Sequence, residues 1–178
     1  MYHKTYDTVY IGIFSVLLVL CSWISIPTLI PFTLQTFGIF LALFILGGKR
    51  GTSAIGIYLL LGTIGIPVFS NFGAGLGYLF GNTGGFALGF LFIGCIAWFF
   101  EHCFGSKPLI TIISCLLGLI ACYTFGTFWF LFVSISANRA FEITSVLSMC
   151  ILPFIIPDLC KLGLAFFISK RLKPLLKL

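Results

Sequence analysis

Apolar residues in this chain fall in long uninterrupted runs, not in the alternation of half-buried strands or the one-sided stripes of soluble helices. The first run covers residues 9–26 and stops before Pro27. The second covers about 33–46 and ends at Gly47-Gly48. The third covers about 52–66 and stops before Pro67. A fourth spans about 86–100. A fifth begins near Pro108, a favoured first-turn residue, and continues to about 133. A sixth begins near Pro157 and reaches about 172. A spanning helix needs about 20 apolar residues, so runs two to four extend into their flanks or sit in locally thinned bilayer. The pattern predicts an all-α integral membrane bundle of about six transmembrane helices, forming one transmembrane domain over residues 1–178. The first run is read as a helix and not as a cleaved signal. Asp7 stands among its leading residues, it is too long for an h-region, and no small-x-small cleavage site follows.

Composition strengthens this reading. Hydrophobic residues make up 60% of the chain and charged residues 8%, whereas soluble domains are nearer half and a quarter. A soluble chain of 178 residues could not hide that much apolar surface. Six spans leave no room for a soluble catalytic domain. The net charge of +6 does not indicate nucleic acid, because the basic residues form no stripe interleaved with aromatics. They set topology instead. With the N-terminus in the cytoplasm, Lys4, Lys49, Arg50, Lys107, Lys170, Arg171, Lys173 and Lys177 lie inside and Arg139 alone outside, with Lys161 within the sixth helix. Both termini are therefore expected to be cytoplasmic. A seventh span over 137–152 would put the basic C-terminus outside, so that segment, with Arg139 and Glu142 three apart, is read as an outer amphipathic or re-entrant helix. The seven cysteines show no C-x-x-C spacing and read as packing residues.

On this topology the polar side chains gather in the outer half. Asp158 and Lys161 are three apart at the start of the sixth helix and share a face. Asp at a helix start and a snorkelling Lys would explain them without a ligand. Yet this Lys stands against the topology bias, and an anionic ligand group would account for that. Gln35 and Thr36 open the second helix and can serve as interhelical glue or as ligand contacts. Asn82 and Thr83 lie in Gly81-Asn82-Thr83-Gly84-Gly85, where free N–H groups can meet an acceptor. The Gly-rich stretch 62–89 is either an ordinary outer loop or one that folds over a ligand. Its Phe69, Phe72, Tyr78 and Phe80 favour the second. Gly48-Lys49-Arg50-Gly51 lacks the spacing of a phosphate loop, and Gly73-x-Gly75-x-Gly77 follows no strand. His3 and His102 lie inside, far from acidic clusters, so neither a zinc site nor a Ser-His nucleophile is expected. No metal, cofactor or enzymatic activity is expected.

Several motifs in order resemble the BioY family, the biotin-binding S components of energy-coupling factor (ECF) transporters. They are Ile24-Ser25-Ile26-Pro27, Pro31-Phe32-Thr33-Leu34-Gln35-Thr36, Leu46-Gly47-Gly48-Lys49-Arg50-Gly51, Tyr58-Leu59-Leu60-Leu61-Gly62, Gly65-Ile66-Pro67-Val68-Phe69, Gly81-Asn82-Thr83-Gly84-Gly85-Phe86 and Pro153-Phe154-Ile155-Ile156-Pro157-Asp158-Leu159-Cys160-Lys161. The resemblance implies high-affinity biotin capture near the outer surface of a bacterial inner membrane, by a multi-pass subunit working with a transmembrane coupling protein and two ATPases. It carries Asp158 and Lys161 over as ligand-binding positions. Asp158 can accept from the ureido N–H groups, and Lys161 can meet the carboxylate or the ureido oxygen. Phe69, Phe72 and Phe86 would cover the apolar ring. The family usually has Pro at the position of Asn82 and Tyr at that of Phe86. Its small residues for docking on the first helix fall at Gly12 and Val16, with Ser15 beside them, and Val16 departs from that pattern. A self-sufficient carrier for biotin or another small vitamin is the alternative.

Overall fold

The computed structural model describes residues 2–26, 31–136, 146, 148 and 151–176. Arg139 and Glu142, and with them the expected outer helix, lie outside the described residues. The fold is an all-α membrane bundle with one small hairpin. Helix α1 is Tyr2–Trp23. Strand β1, Ser25–Ile26, pairs antiparallel with β2, Phe32–Thr33, in the register Ser25 to Thr33. Helices α2, Gln35–Leu46, and α3, Gly48–Thr63, follow. A 3-10 turn at Ser70–Phe72 and a short α4, Gly75–Leu79, lead to α5, Gly84–Phe104. The bundle is completed by α6, Pro108–Ser136, and α7, Leu152–Leu175.

Among the described residues, α1, α5, α6 and α7 are long and apolar enough to cross a membrane. Helix α2 has only 12 residues, but every one except Phe37 is buried. It touches α1, α3, α5, α6 and α7, as a helix that is apolar all round should. Its short length is tolerable because neighbouring helices, not lipid, surround it. Helix α1 is the opposite case. Val9, Ile13, Val16 and Leu20 form an exposed stripe, while Phe14, Leu18 and Cys21 face the bundle. In lipid such a stripe needs no protein cover. Helices α5 and α6 pack closely, with Gly89 of α5 against Cys122 and Gly118 of α6 against Ile93.

Two boundaries differ from the sequence expectation. The second and third runs are separated by a single residue, Gly47, whose φ of +81° suits glycine. Gly48-Lys49-Arg50-Gly51 therefore belongs to the first turns of α3. Helix α7 starts five residues before Pro157. Pro153 takes the first turn, where its missing N–H costs nothing, and Pro157 lies inside the helix. Asp158 is thus in the second turn, away from the positive helix end that would have explained it without a ligand.

Candidate ligand cavity

Helix α7 turns Asp158 and Lys161 onto the face that packs against α2. Both are buried, at 2% and 7% relative exposure. Each ammonium proton of Lys161 has an acceptor: Asp158 Oδ1 at 2.8 Å, the Thr33 carbonyl at 2.7 Å and Thr36 Oγ1 at 3.1 Å. The Thr36 hydroxyl in turn donates to Asp158 Oδ1 at 2.8 Å. The Tyr123 hydroxyl of α6 donates to Asp158 Oδ2 at 2.6 Å. The Lys161 ammonium also stands 4.3 Å from the centre of the Phe32 ring. A charge at membrane depth is costly unless neutralised and fully hydrogen-bonded, and this pair is both.

The hairpin explains why α2 contributes. It places Thr33 just ahead of the helix, where its Oγ1 accepts the Gln35 N–H at 3.2 Å and donates to Gln35 Oε1 at 2.9 Å. Gln35 Nε2 donates to the Tyr58 hydroxyl of α3. The first turn of α2 is thereby fixed to α3 on one side and to α7 on the other.

These groups form one wall of a cleft that opens to solvent. Thr33, Gln35, Thr36, Asp158, Lys161, Tyr123, Ser70, Tyr78 and Thr83 supply its polar lining. Pro31, Phe86, Ala87, Phe90, Leu119, Cys122 and Phe154 supply the apolar part. A mainly apolar cleft with a few converging polar groups is the usual form of a small-molecule site.

The cavity thus collects Asp158, Lys161, Gln35, Thr36, Thr83 and Phe86 from the residues singled out by sequence. Asn82 is half-buried in the adjoining turn and does not line it. Phe69 and Phe72 do not line it either. Phe69 lies behind the wall, fully buried, stacked on Tyr78 at 4.6 Å and edge-on to Tyr58 at 5.7 Å. It fits there because Gly62 leaves room for its ring. Phe72 is 64% exposed and rests on Trp23, 5.2 Å away. Tyr78, Phe86, Phe90, Tyr123 and Phe154 are the aromatic residues that line the cavity.

The stretch 62–89 contributes to the lining of the cavity. It is clipped to the end of α1 by Trp23 Nε1 donating to the Pro67 carbonyl at 2.9 Å and by Ser25 Oγ donating to Asn71 Oδ1 at 3.0 Å. Ser70, Tyr78 and Thr83 then reach the cavity. On α1, Gly12 and Val16 lie on the exposed face. Ser15 does not: it is buried, and its hydroxyl donates to the Ile11 carbonyl at 2.8 Å and to the Ala54 carbonyl of α3 at 3.1 Å.

Tyr123 was not apparent from sequence. Its one signal is a hydroxyl carried by the sole tyrosine of the run 108–133, a polar tip that a lipid-facing position would not need. Phe90 and Phe154 gave no signal, because nothing separates a cavity-facing Phe from its neighbours in an apolar run.

The sequence model of the BioY family matches residues 1–178. A protein of Thermotoga maritima named biotin transporter BioY is 38% identical over 176 residues, covering 92% of this chain and 94% of that protein. A probable biotin transporter BioY of Pyrococcus horikoshii is 35% identical over 144 residues, 81% of each chain. Among solved structures, the S-component for biotin from an ECF-type ABC transporter superposes with a TM-score of 0.81 at 27% identity, covering 97% of this chain and 93% of that one. With its family matched over residues 1–178 and a relative 38% identical over 92% of its length, the chain belongs to the BioY family.

Proposed function

We propose that the chain captures biotin with high affinity as the substrate-binding membrane subunit of an ECF-type transporter. The observation that carries this reading is the Asp158–Lys161 pair, buried and fully hydrogen-bonded in a cavity otherwise lined mainly by apolar and aromatic side chains. Biotin offers two ureido N–H donors, one ureido oxygen, an apolar ring and a carboxylate tail. Asp158 receives three hydrogen bonds from the protein and retains room for one more from a ureido N–H. Lys161 has all three protons engaged, so it meets a ligand oxygen only by exchanging one of them. Phe86, Phe90 and Phe154 offer surfaces for the ring. Because the polar groups are held before the ligand arrives, little ordering cost remains on binding, which favours tight capture.

The wider role follows the same reading. Six crossings, by α1, α2, α3, α5, α6 and α7, place both termini in the cytoplasm. Two observations support this. Arg50 at the start of α3 pairs with Asp7 in α1 at 3.0 Å. Gly47, Glu101, Pro108 and Lys170, from the adjoining ends of α2, α5, α6 and α7, share one cavity. The subunit sits in the bacterial inner membrane and delivers biotin with a coupling membrane protein and two ATPases. The exposed face of α1 around Gly12 and Val16 is the proposed docking face. Uptake of labelled biotin by cells expressing the chain, with and without those partners, tests the proposal. Saturable cell-associated biotin is expected with the chain alone, and accumulation against a gradient only with the ATPases. Accumulation by the chain alone would favour a self-sufficient carrier.

A further inference from the structure

A second cavity lies at the other end of the bundle, between the end of α2, the α5–α6 connection and the last turns of α7. Lys170 and Lys173 line it together with Glu101 and Ser106. The obvious pairing of these charges does not occur. Glu101 Oε2 accepts the Gly48 N–H at the start of α3, and Oε1 accepts the Ser106 hydroxyl. Among the described residues no carboxylate lies within 4.0 Å of Lys170 or Lys173. The Lys170 ammonium stands 4.5 Å from the centre of the Phe166 ring. Two ammonium groups three residues apart on one helix repel each other, and here they face a common hollow with the nearby carboxylate committed elsewhere.

We propose that this cavity holds the phosphate headgroup of an anionic membrane lipid. A phosphate between Lys170 and Lys173 would relieve their repulsion and could also accept from nearby hydroxyls. The membrane is the source because of where the cavity lies. It lies among the ends of α2, α5, α6 and α7 on the side read as cytoplasmic, and Phe104 and Leu109, close in sequence to its Ser106 and Pro108, are large apolar residues left exposed, suited to acyl chains. Basic pockets between transmembrane helices recognise such headgroups. The proposal does not depend on biotin.

The test uses the purified, delipidated full chain in detergent, with thermal stability followed during titration with phosphatidylglycerol, phosphatidylcholine or inorganic phosphate. K170A/K173A is compared with K49A/R171A, which removes the same charge from likewise exposed positions that do not line the cavity. Phosphatidylglycerol should stabilise the wild type saturably, with half-saturation about thirtyfold weaker in K170A/K173A and unchanged in K49A/R171A. Phosphatidylcholine and inorganic phosphate should give no comparable shift. If K170A/K173A does not fold, K170Q/K173Q keeps the aliphatic stems and carries the same comparison. An unchanged response in the cavity variant, or equal loss in both double variants, would overturn the proposal. An equal response to inorganic phosphate would overturn the lipid source. No response to any of the three would overturn the site and leave the lysines to an acidic protein surface.

Discussion

The two ends of the bundle treat charge in opposite ways. At the end that holds Asp158 and Lys161, an ammonium and a carboxylate are buried together, and every proton of Lys161 and both oxygens of Asp158 are engaged. At the other end, Lys170 and Lys173 remain without a carboxylate among the described residues, and Glu101 caps α3 instead of pairing with them. Surroundings explain the difference. Charges at membrane depth have no water to fall back on, so they must be satisfied internally. Charges at helix ends can be hydrated and need not be paired. A neutral, pre-organised site with an acceptor position left on Asp158 suits a ligand selected by a few hydrogen bonds. An unsaturated basic site suits an anion from outside the fold.

The sharpest way to break this contrast is at the buried pair. Asp158→Asn leaves the Lys161 ammonium uncompensated and should cost about 3–5 kcal/mol of stability, read as a lowered melting temperature in detergent. Replacing both partners, as in D158L/K161M, should restore most of that stability while leaving biotin binding abolished. A double variant as unstable as Asp158→Asn would show that the pair holds the fold by more than mutual neutralisation. Tyr123→Phe comes next. It removes one hydrogen bond to a carboxylate, worth about 1.5–3 kcal/mol, and biotin affinity should fall at least tenfold because Asp158 loses one of its constraints. Unaltered affinity would reduce Tyr123 to a wall residue. At the other end, Glu101→Gln should lower stability by only about 1 kcal/mol, since it weakens a cap without stranding a buried charge. Smallest of all, Asp7→Asn should change stability by less than about 1 kcal/mol and less still in high salt, because both partners of the Arg50 pair are partly exposed.

Sequence revealed those parts of the structure that depend on exceptions to an apolar background. Asp158, Lys161, Gln35 and Thr36 stood out because polar groups in apolar runs need a reason, and the cavity joins all four. The start of α7 was misplaced because two prolines compete for the first turn, and spacing alone does not say that Pro153 takes it. Gly47-Gly48 marked a break but not that one residue suffices. Glu101, more than fifty positions away, accepts the Gly48 N–H and lets α3 begin at once. Phe69 and Phe72 illustrate the limit most clearly. Both are aromatic residues of the same Gly-rich stretch, yet one is locked between Tyr58 and Tyr78 while the other lies outside on Trp23. The space left at Gly62 is what separates them, and it arises only when α3 and the returning strap meet in three dimensions.

The central claim is tested most directly by equilibrium binding of labelled biotin to the purified chain in detergent, with Asp158→Asn and Lys161→Ala measured beside it. The account predicts saturable, tight binding by the wild type and a loss of a hundredfold or more, on the order of 3 kcal/mol, in each variant that still folds. Binding that survives both substitutions, or a folded wild-type chain that does not bind biotin, would contradict it.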